Sequence, residues 1–299
     1  MKLSYWPLAP QTWEEIVATT RHIEATGWDG VYMADHFMAD GQAFGAAERP
    51  TFEALAGLAA LGAITSRVRV GPLVLGNTYR HPAVLANWAA TLDIVTGGRV
   101  VLGLGAGWQQ NEHEQYGIEL PPPRQRLDRF EEALTAIGSL LSEPTTTLDG
   151  EYYRLADALC EPKPVQAPLP LLIGGKGDRM LGIVARHAQE WNMLGLPDVI
   201  AERAAVLDRR CEAIDRDPAS VRRSTQALVM VTDDAAAAQS CVEGVAPRAA
   251  IAGPAAQFAE VVEQWAAVGI DEVIVPDVAL ARGAERLEQL DALRTAVTI

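Results

Sequence analysis

Short apolar runs recur along the chain, each followed by a longer stretch whose apolar positions repeat with helical spacing. Runs of the first kind suit buried strands, and stretches of the second kind suit helices packed on one face. The series opens with "KLSYW" and "TWEEIVATTRHIEATG", where Thr12 and Glu15 have capping-box spacing and Gly27 supplies a stop. It continues through "GVYMA" with "TFEALAGLAALGAIT", "VRVGPLVLG" with "HPAVLANWAATLDIVTGG", and "RVVLGLG", which leads through a loop to "RLDRFEEALTAIGSLLS". "PLLIGG" with "DRMLGIVARHA" and "EWNMLG" with "PDVIAERAAVLDRRCEAI" follow, and "STQALVMVT" and "DEVIVP" complete the set. Pro82 stands where a first helical turn accepts proline, and Gly97-Gly98 closes that helix.

Units alternating in this way predict a parallel sheet, and their number in a chain of 299 residues is that of a (β/α)8 TIM barrel with insertions. A doubly wound open sheet is the alternative. Its dinucleotide fingerprint would have to lie in "GLGAGW", where Trp108 replaces the third glycine and the strand is the fourth, not the first. "GIELPPP", residues 117–123, predicts a rigid exposed connection, and Asp149-Gly150 between alternating β-formers predicts a hairpin inserted at about 145–159. An Ala/Gly-rich stretch at about 233–253 is a second, less defined insertion. No linker divides the chain, so one domain over residues 1–299 is expected.

Composition narrows the function classes. Apolar residues make up 49% and charged residues 21%, which fits a folded globular chain. A net charge of −14 disfavours nucleic-acid and anionic-membrane partners and leaves a small molecule as the expected partner. Pro7 and Pro10 break the N-terminal apolar stretch, and no run is long enough to span a bilayer, so a cytoplasmic protein is expected. Cys160, Cys211 and Cys241 are scattered, which argues against a disulfide framework and a thiolate metal site. "NEHEQ" around His113 reads as solvated surface, with Glu112 and Glu114 on different helix faces, and no metal is expected there.

The unusual residues gather where strands end. "LVLGNTYRHP" opens as a buried strand and then turns small, polar and aromatic before Pro82. The second strand ends in "ADHF", the fourth in "GAGWQQNEHE" and the fifth in "GGKGDR". In a barrel these ends share one mouth, where catalytic residues sit. Asp35-His36 offers acid/base chemistry, or else a capping aspartate and a packed histidine. Gly174, Gly175, Lys176 and Gly177 before a helix suit a phosphate, or else form a tight turn with a solvated lysine. Trp6, Phe37, Tyr79 and Trp108 read either as core aromatics or as the walls of a flat pocket.

As an ordered set, "ADHF", the stretch from Val70 to Trp108, "RLDRFEEAL", "PKPVQAPLPLLIGGKGDR" and "EWN" resemble the luciferase-like monooxygenase superfamily, most closely its branch using the deazaflavin coenzyme F420. The resemblance implies a (β/α)8 barrel with an insertion, a flavin or deazaflavin at the C-terminal mouth, and a homodimer. By position it makes Asp35 and His36 polar contacts to the ring system, with His36 as proton donor or acceptor. It puts a non-prolyl cis peptide at Leu73-Val74 as a bulge behind the ring. It also matches Asn111 to a cofactor-contacting asparagine and Gly174, Gly175, Lys176 and Gly177 to the cofactor-phosphate loop. Trp6, Phe37, Tyr79 and Trp108 become pocket walls. Trp108 replaces an acidic residue of the branch's sugar-phosphate dehydrogenases, which speaks against a sugar phosphate. The implied activity is an F420-dependent oxidoreductase moving a hydride between the deazaflavin C5 and a small organic substrate. The alternatives are a reduced-FMN monooxygenase served by a flavin reductase, and a non-catalytic flavin-binding protein; a phosphate-handling aldolase or isomerase is more distant.

Overall fold

The structure is a computed structural model that describes residues 1–41 and 45–298. Nine strands form one parallel sheet, in which Arg69–Pro72 and Leu75–Gly76 are two pieces of one stave. The other staves are Lys2–Trp6, Gly30–Met33, Leu102–Gly105, Leu171–Gly174, Glu190–Leu194, Arg222–Gln226 and Glu272–Pro276. Arg69–Pro72 pairs with Gly30–Met33 and Leu75–Gly76 with Leu102–Gly105, while a Val70–Val100 bridge supports the same junction. With Lys2–Trp6 paired to Glu272–Pro276, the sheet closes into an α/β barrel.

Strand alternation divides the core in two. Tyr32, Val101, Leu172 and Ile274 point inward and form a small cluster inside the barrel with Leu73. Their sequence neighbours, including Val31, Val100, Ile173 and Val273, pack outward under the helices. The helices begin with the signals read from the sequence: Thr12 and Glu15 complete a capping box, and Pro82 starts the helix Pro82–Thr96, which ends on left-handed Gly97.

Two segments differ from the expected pattern. "STQALVMVT" is two strands: Arg222–Gln226 stays in the barrel, whereas Leu228–Val231 leaves it to pair with Ala250–Gly253 from the Ala/Gly-rich stretch. The segment after the fourth strand, expected as a loop, contains the helix Gln110–Tyr116, closed by left-handed Gly117. It is short and polar, so helical periodicity had no apolar residues to register. Thr146–Asp149 and Arg154–Ala158 pair antiparallel beside the helix Pro123–Ser142.

Charge closes the floor of the barrel. Arg69, Glu190, Arg222 and Glu272 are first residues of their strands, so they meet at the N-terminal end. Glu272 is fully buried and accepts from Arg222 at 2.7 Å and Arg69 at 3.3 Å, from Tyr32 at 3.3 Å, and from Ser4. Arg69 also pairs with Glu190 at 2.5 Å. At the opposite end, buried Asp277 accepts from Tyr5 Oη, Leu8 N and Ala9 N at 2.7 Å each and from Gln11 Nε2 at 2.8 Å, and pairs with Arg286 at 3.1 Å. One carboxylate thus fixes the loop after the first strand.

Removing one member of a buried ionic set strands the others without a counter-charge. Glu272→Ala is expected to cost about 3–5 kcal/mol in urea-induced unfolding; wild-type stability would show that the floor network contributes nothing. Asp277→Ala is expected to raise hydrogen exchange selectively in residues 7–12, read by mass spectrometry, while the sheet stays protected.

Candidate active site

The mouth of the barrel is shaped by the interruption of the third stave. The chain leaves the ladder at Leu73, whose amide donates to Met33 O at 2.8 Å, and returns at Leu75; the peptide between Leu73 and Val74 is cis. Val74 then fills space that neighbouring strands leave open. A Cβ on Gly105 would lie 2.8 Å from Val74 Cγ2, and one on Gly174 would lie 3.1 Å from it. On Gly103 a Cβ would lie 2.0 Å from the Pro72 carbonyl oxygen. The glycines of "GLG" and the first of "GGKG" therefore make room for the bulge.

Above the bulge lies a cavity of about 410 Å³. Trp6 and Leu8 line it from the end of the first stave and its loop, Met33, Asp35 and His36 from the end of the second stave and its loop, and Tyr79, Trp108, Phe52 and Met180 from the surrounding segments. Its surface is mostly apolar. Trp6, one of the lining residues, keeps its Nε1 buried without a protein partner.

Asp35 and His36 are adjacent in sequence but have separate partners. Asp35, 2% exposed, accepts from Arg80 through both oxygens at 2.7 and 2.8 Å and from the Gly76 amide at 2.9 Å. Arg80 continues to Glu53 at 2.7 Å, the N-cap of the helix Ala54–Ile64. His36 instead places Nδ1 2.9 Å from Glu112 Oε1. Its ring meets Trp108 edge-on at 5.5 Å. Glu112 also accepts the Phe37 amide at 2.8 Å and the Tyr79 hydroxyl. Burial alone would raise the Glu112 carboxyl, but the hydrogen bonds from His36, Tyr79 and Phe37 outweigh it and hold the group below the usual carboxylate range. Tyr79 moves upward, first through burial and then through its bond to Glu112.

The expectation that "NEHEQ" is solvated surface is corrected. Glu112 and His113 are buried, because the helix Gln110–Tyr116 turns both toward the mouth while Glu114 stays outside. His113 Nε2 lies 2.7 Å from Thr78 Oγ1, and Nδ1 faces Gln109 O. Sequence reasoning names this stretch as a strand end but puts Glu112 on the solvated surface, whereas it is fully buried. The available signal was its place in that stretch, beyond Trp108.

The other predicted residues are distributed around the bulge. Trp6, Tyr79, Trp108, Leu73 and Val74 line the cavity; Phe37 stands behind it, stacked on Tyr116 at 5.0 Å and edge-on to Tyr79 at 4.9 Å. Asn111 is not a lining residue: its Nδ2 donates to Ala39 O at 2.9 Å, while Oδ1 is buried and unpartnered. Gly174, Gly175 and Lys176 border a shallower cavity of about 320 Å³ on the far side of Val74, with Asn192 and Gln226. The Gly175 amide donates to Asn192 O at 3.0 Å, so an anion there would rely on Lys176 and the start of the helix Asp178–His187, where Gly177 is the N-cap and offers no side-chain cap.

Comparison with known proteins agrees with this architecture. An F420-dependent glucose-6-phosphate dehydrogenase of Microbacterium testaceum is 39% identical over 170 residues, covering 56% of this chain and 48% of that protein. The namesake from Segniliparus rotundus is 36% identical over 190 residues, 63% of this chain and 54% of that one. The chain thus spans about half the length of the curated relatives it matches. Among solved structures, an F420-dependent secondary alcohol dehydrogenase bound to an F420-acetone adduct superposes with a TM-score of 0.86 at 19% identity, over 99% of this chain and 98% of that one. A long-chain alkane monooxygenase superposes with a TM-score of 0.83 at 12% identity, over 100% of this chain and 91% of that one. These two establish the shared fold. The family model described as luciferase-like monooxygenase matches residues 1–296, and the chain belongs to that family.

Proposed function

We propose that the chain is an F420-dependent oxidoreductase that moves a hydride between the deazaflavin C5 and a small organic substrate, with His36 exchanging the accompanying proton. The observation that carries this reading is the pairing of His36 with a buried carboxylate at the wall of a cavity backed by the Leu73-Val74 bulge. With Nδ1 engaged by Glu112, Nε2 is the ring nitrogen left to face a substrate.

The residues present fit a deazaflavin. The mouth offers an apolar cavity with aromatic walls, the unpartnered Trp6 Nε1, and a glycine-lysine turn at a helix start for a phosphate-bearing tail. Leu73 and Val74 would back the ring, Asp35 would shape its edge through Gly76 and Arg80, and Asn111 Oδ1 retains an unused acceptor nearby. When bound, the cofactor supplies two-electron hydride chemistry. The protein's own residues hold the substrate against it, exclude water and exchange a proton at His36. The named relatives favour F420 over FMN, because those with the higher identities are F420-dependent dehydrogenases.

A sugar phosphate suits the mouth poorly. Trp108, 54% exposed, borders the cavity, and Arg80 is committed to Asp35 and Glu53. Neutral ketones, enones and imines match the apolar lining better. The resemblance also supports a homodimer in the cytoplasm; among the described residues no helix is long and apolar enough to cross a membrane.

Anaerobic incubation with reduced F420 and a panel of ketones, enones and imines is expected to reoxidise the cofactor without oxygen, followed by absorbance. Oxygen consumption with reduced FMN and no anaerobic turnover would favour the monooxygenase reading. His36→Asn is expected to lower kcat by about 10²–10⁴ while leaving F420 affinity nearly unchanged; unaltered turnover would remove His36 from the chemistry.

A further inference from the structure

Glu112 does not line the cavity, yet its side chain is fully buried and both its oxygens are used. Oε1 meets His36 Nδ1 at 2.9 Å and takes the Tyr79 hydroxyl, while Oε2 takes the Phe37 amide at 2.8 Å. An ionised carboxylate only accepts, so each partner must bring a hydrogen. For Phe37 and Tyr79 that is their ordinary state. For His36 it selects one of the two tautomers.

Other groups near the ring leave this choice to Glu112. Asp35, next in sequence, is occupied by Arg80 and the Gly76 amide. His113, next to Glu112 on the same helix, points to Thr78 and Gln109. Trp108 meets His36 with its ring. The Phe37 amide is one residue beyond His36, so the same carboxylate also fixes the backbone that carries the imidazole.

We propose that Glu112 is the positioning residue of this site, holding His36 in the Nδ1–H form so that Nε2 is presented to the cavity as the proton-exchanging atom. The proposal deepens the oxidoreductase reading and rests on it for its catalytic meaning, but the tautomer is a property of the protein alone. Tyr79, which donates into the same oxygen, is then a second restraint on the carboxylate and not a proton donor to substrate.

Glu112→Gln tests this with a defined sign. The Phe37 amide still requires an acceptor, so the new carbonyl oxygen takes the Oε2 place and turns the amide NH₂ toward His36 Nδ1. That nitrogen must then accept, and His36 is forced into the Nε2–H form. Nitrogen-15 NMR of histidine-labelled protein without cofactor, with the His36 signals assigned by their loss in His36→Asn, reads this directly. The wild type is expected to show Nδ1–H and Glu112→Gln to show Nε2–H. In turnover with reduced F420, Glu112→Gln is expected to lose about 10²-fold or more in kcat with little change in KM or cofactor affinity. Glu112→Asp, which keeps an acceptor-only group, is expected to retain the Nδ1–H signal. Nε2–H in the wild type, or the same tautomer in wild type and Glu112→Gln, overturns the proposal, and the wild-type spectrum decides even if the variant does not fold. Failure of the oxidoreductase reading is separate: it would appear as wild-type protein inactive with reduced F420 while the NMR result stands.

Discussion

The break in the third stave is the constraint from which the site follows. Between Pro72 and Leu75 the chain swings into the mouth, and Val74 takes volume that side chains at positions 103, 105 and 174 would otherwise fill. Close packing permits this only if those neighbours have no side chain. The break also leaves loose ends, which are tied at once. Gly76 donates to Asp35 and Asn77 donates to Gly105 O at 2.9 Å. The cavity above and the shallower one beyond Val74 are the two sides of this one irregularity.

Buried carboxylates then do the positioning. Asp277 gathers the first loop, Asp35 secures the end of the third stave through Arg80, and Glu112 binds the end of the second stave to the helix Gln110–Tyr116. Each is desolvated, and each is matched by more than one donor, which makes burial of a charge tolerable. The barrel floor uses the same device for closure, with Glu272 and Glu190 set against Arg69 and Arg222. The floor serves stability; the mouth leaves an apolar volume with one histidine at its edge and can serve chemistry.

Much of this was legible in the sequence. Apolar runs alternating with helical stretches mark seven of the eight staves, because strands buried on both faces are mostly apolar; the exception is Arg222–Gln226, an all-polar stave whose apolar continuation Leu228–Val231 pairs outside the barrel. The polar turn after Leu75 marked the mouth. Val74's need for glycine neighbours is not visible in sequence, since it depends on which strands lie side by side; "GGKG" suggests a phosphate site or a tight turn, and "GLG" only a weak match to a nucleotide fingerprint. The cis peptide came from family likeness; nothing in Leu73 or Val74 as residue types announces it. Glu112 was misplaced for a related reason: on a short polar helix, burial is decided by how the helix lies across the barrel, and periodicity carries no trace of that. Arg80 and Asp277 were likewise hidden, because their partners are far along the chain.

The central claim is that this mouth is built for a deazaflavin, and the most direct test is binding. Purified protein titrated anaerobically with oxidised F420, and separately with FMN, followed by cofactor fluorescence, should show saturable tight binding of F420 and much weaker binding of FMN. Preference for FMN, or binding of neither, would contradict the account.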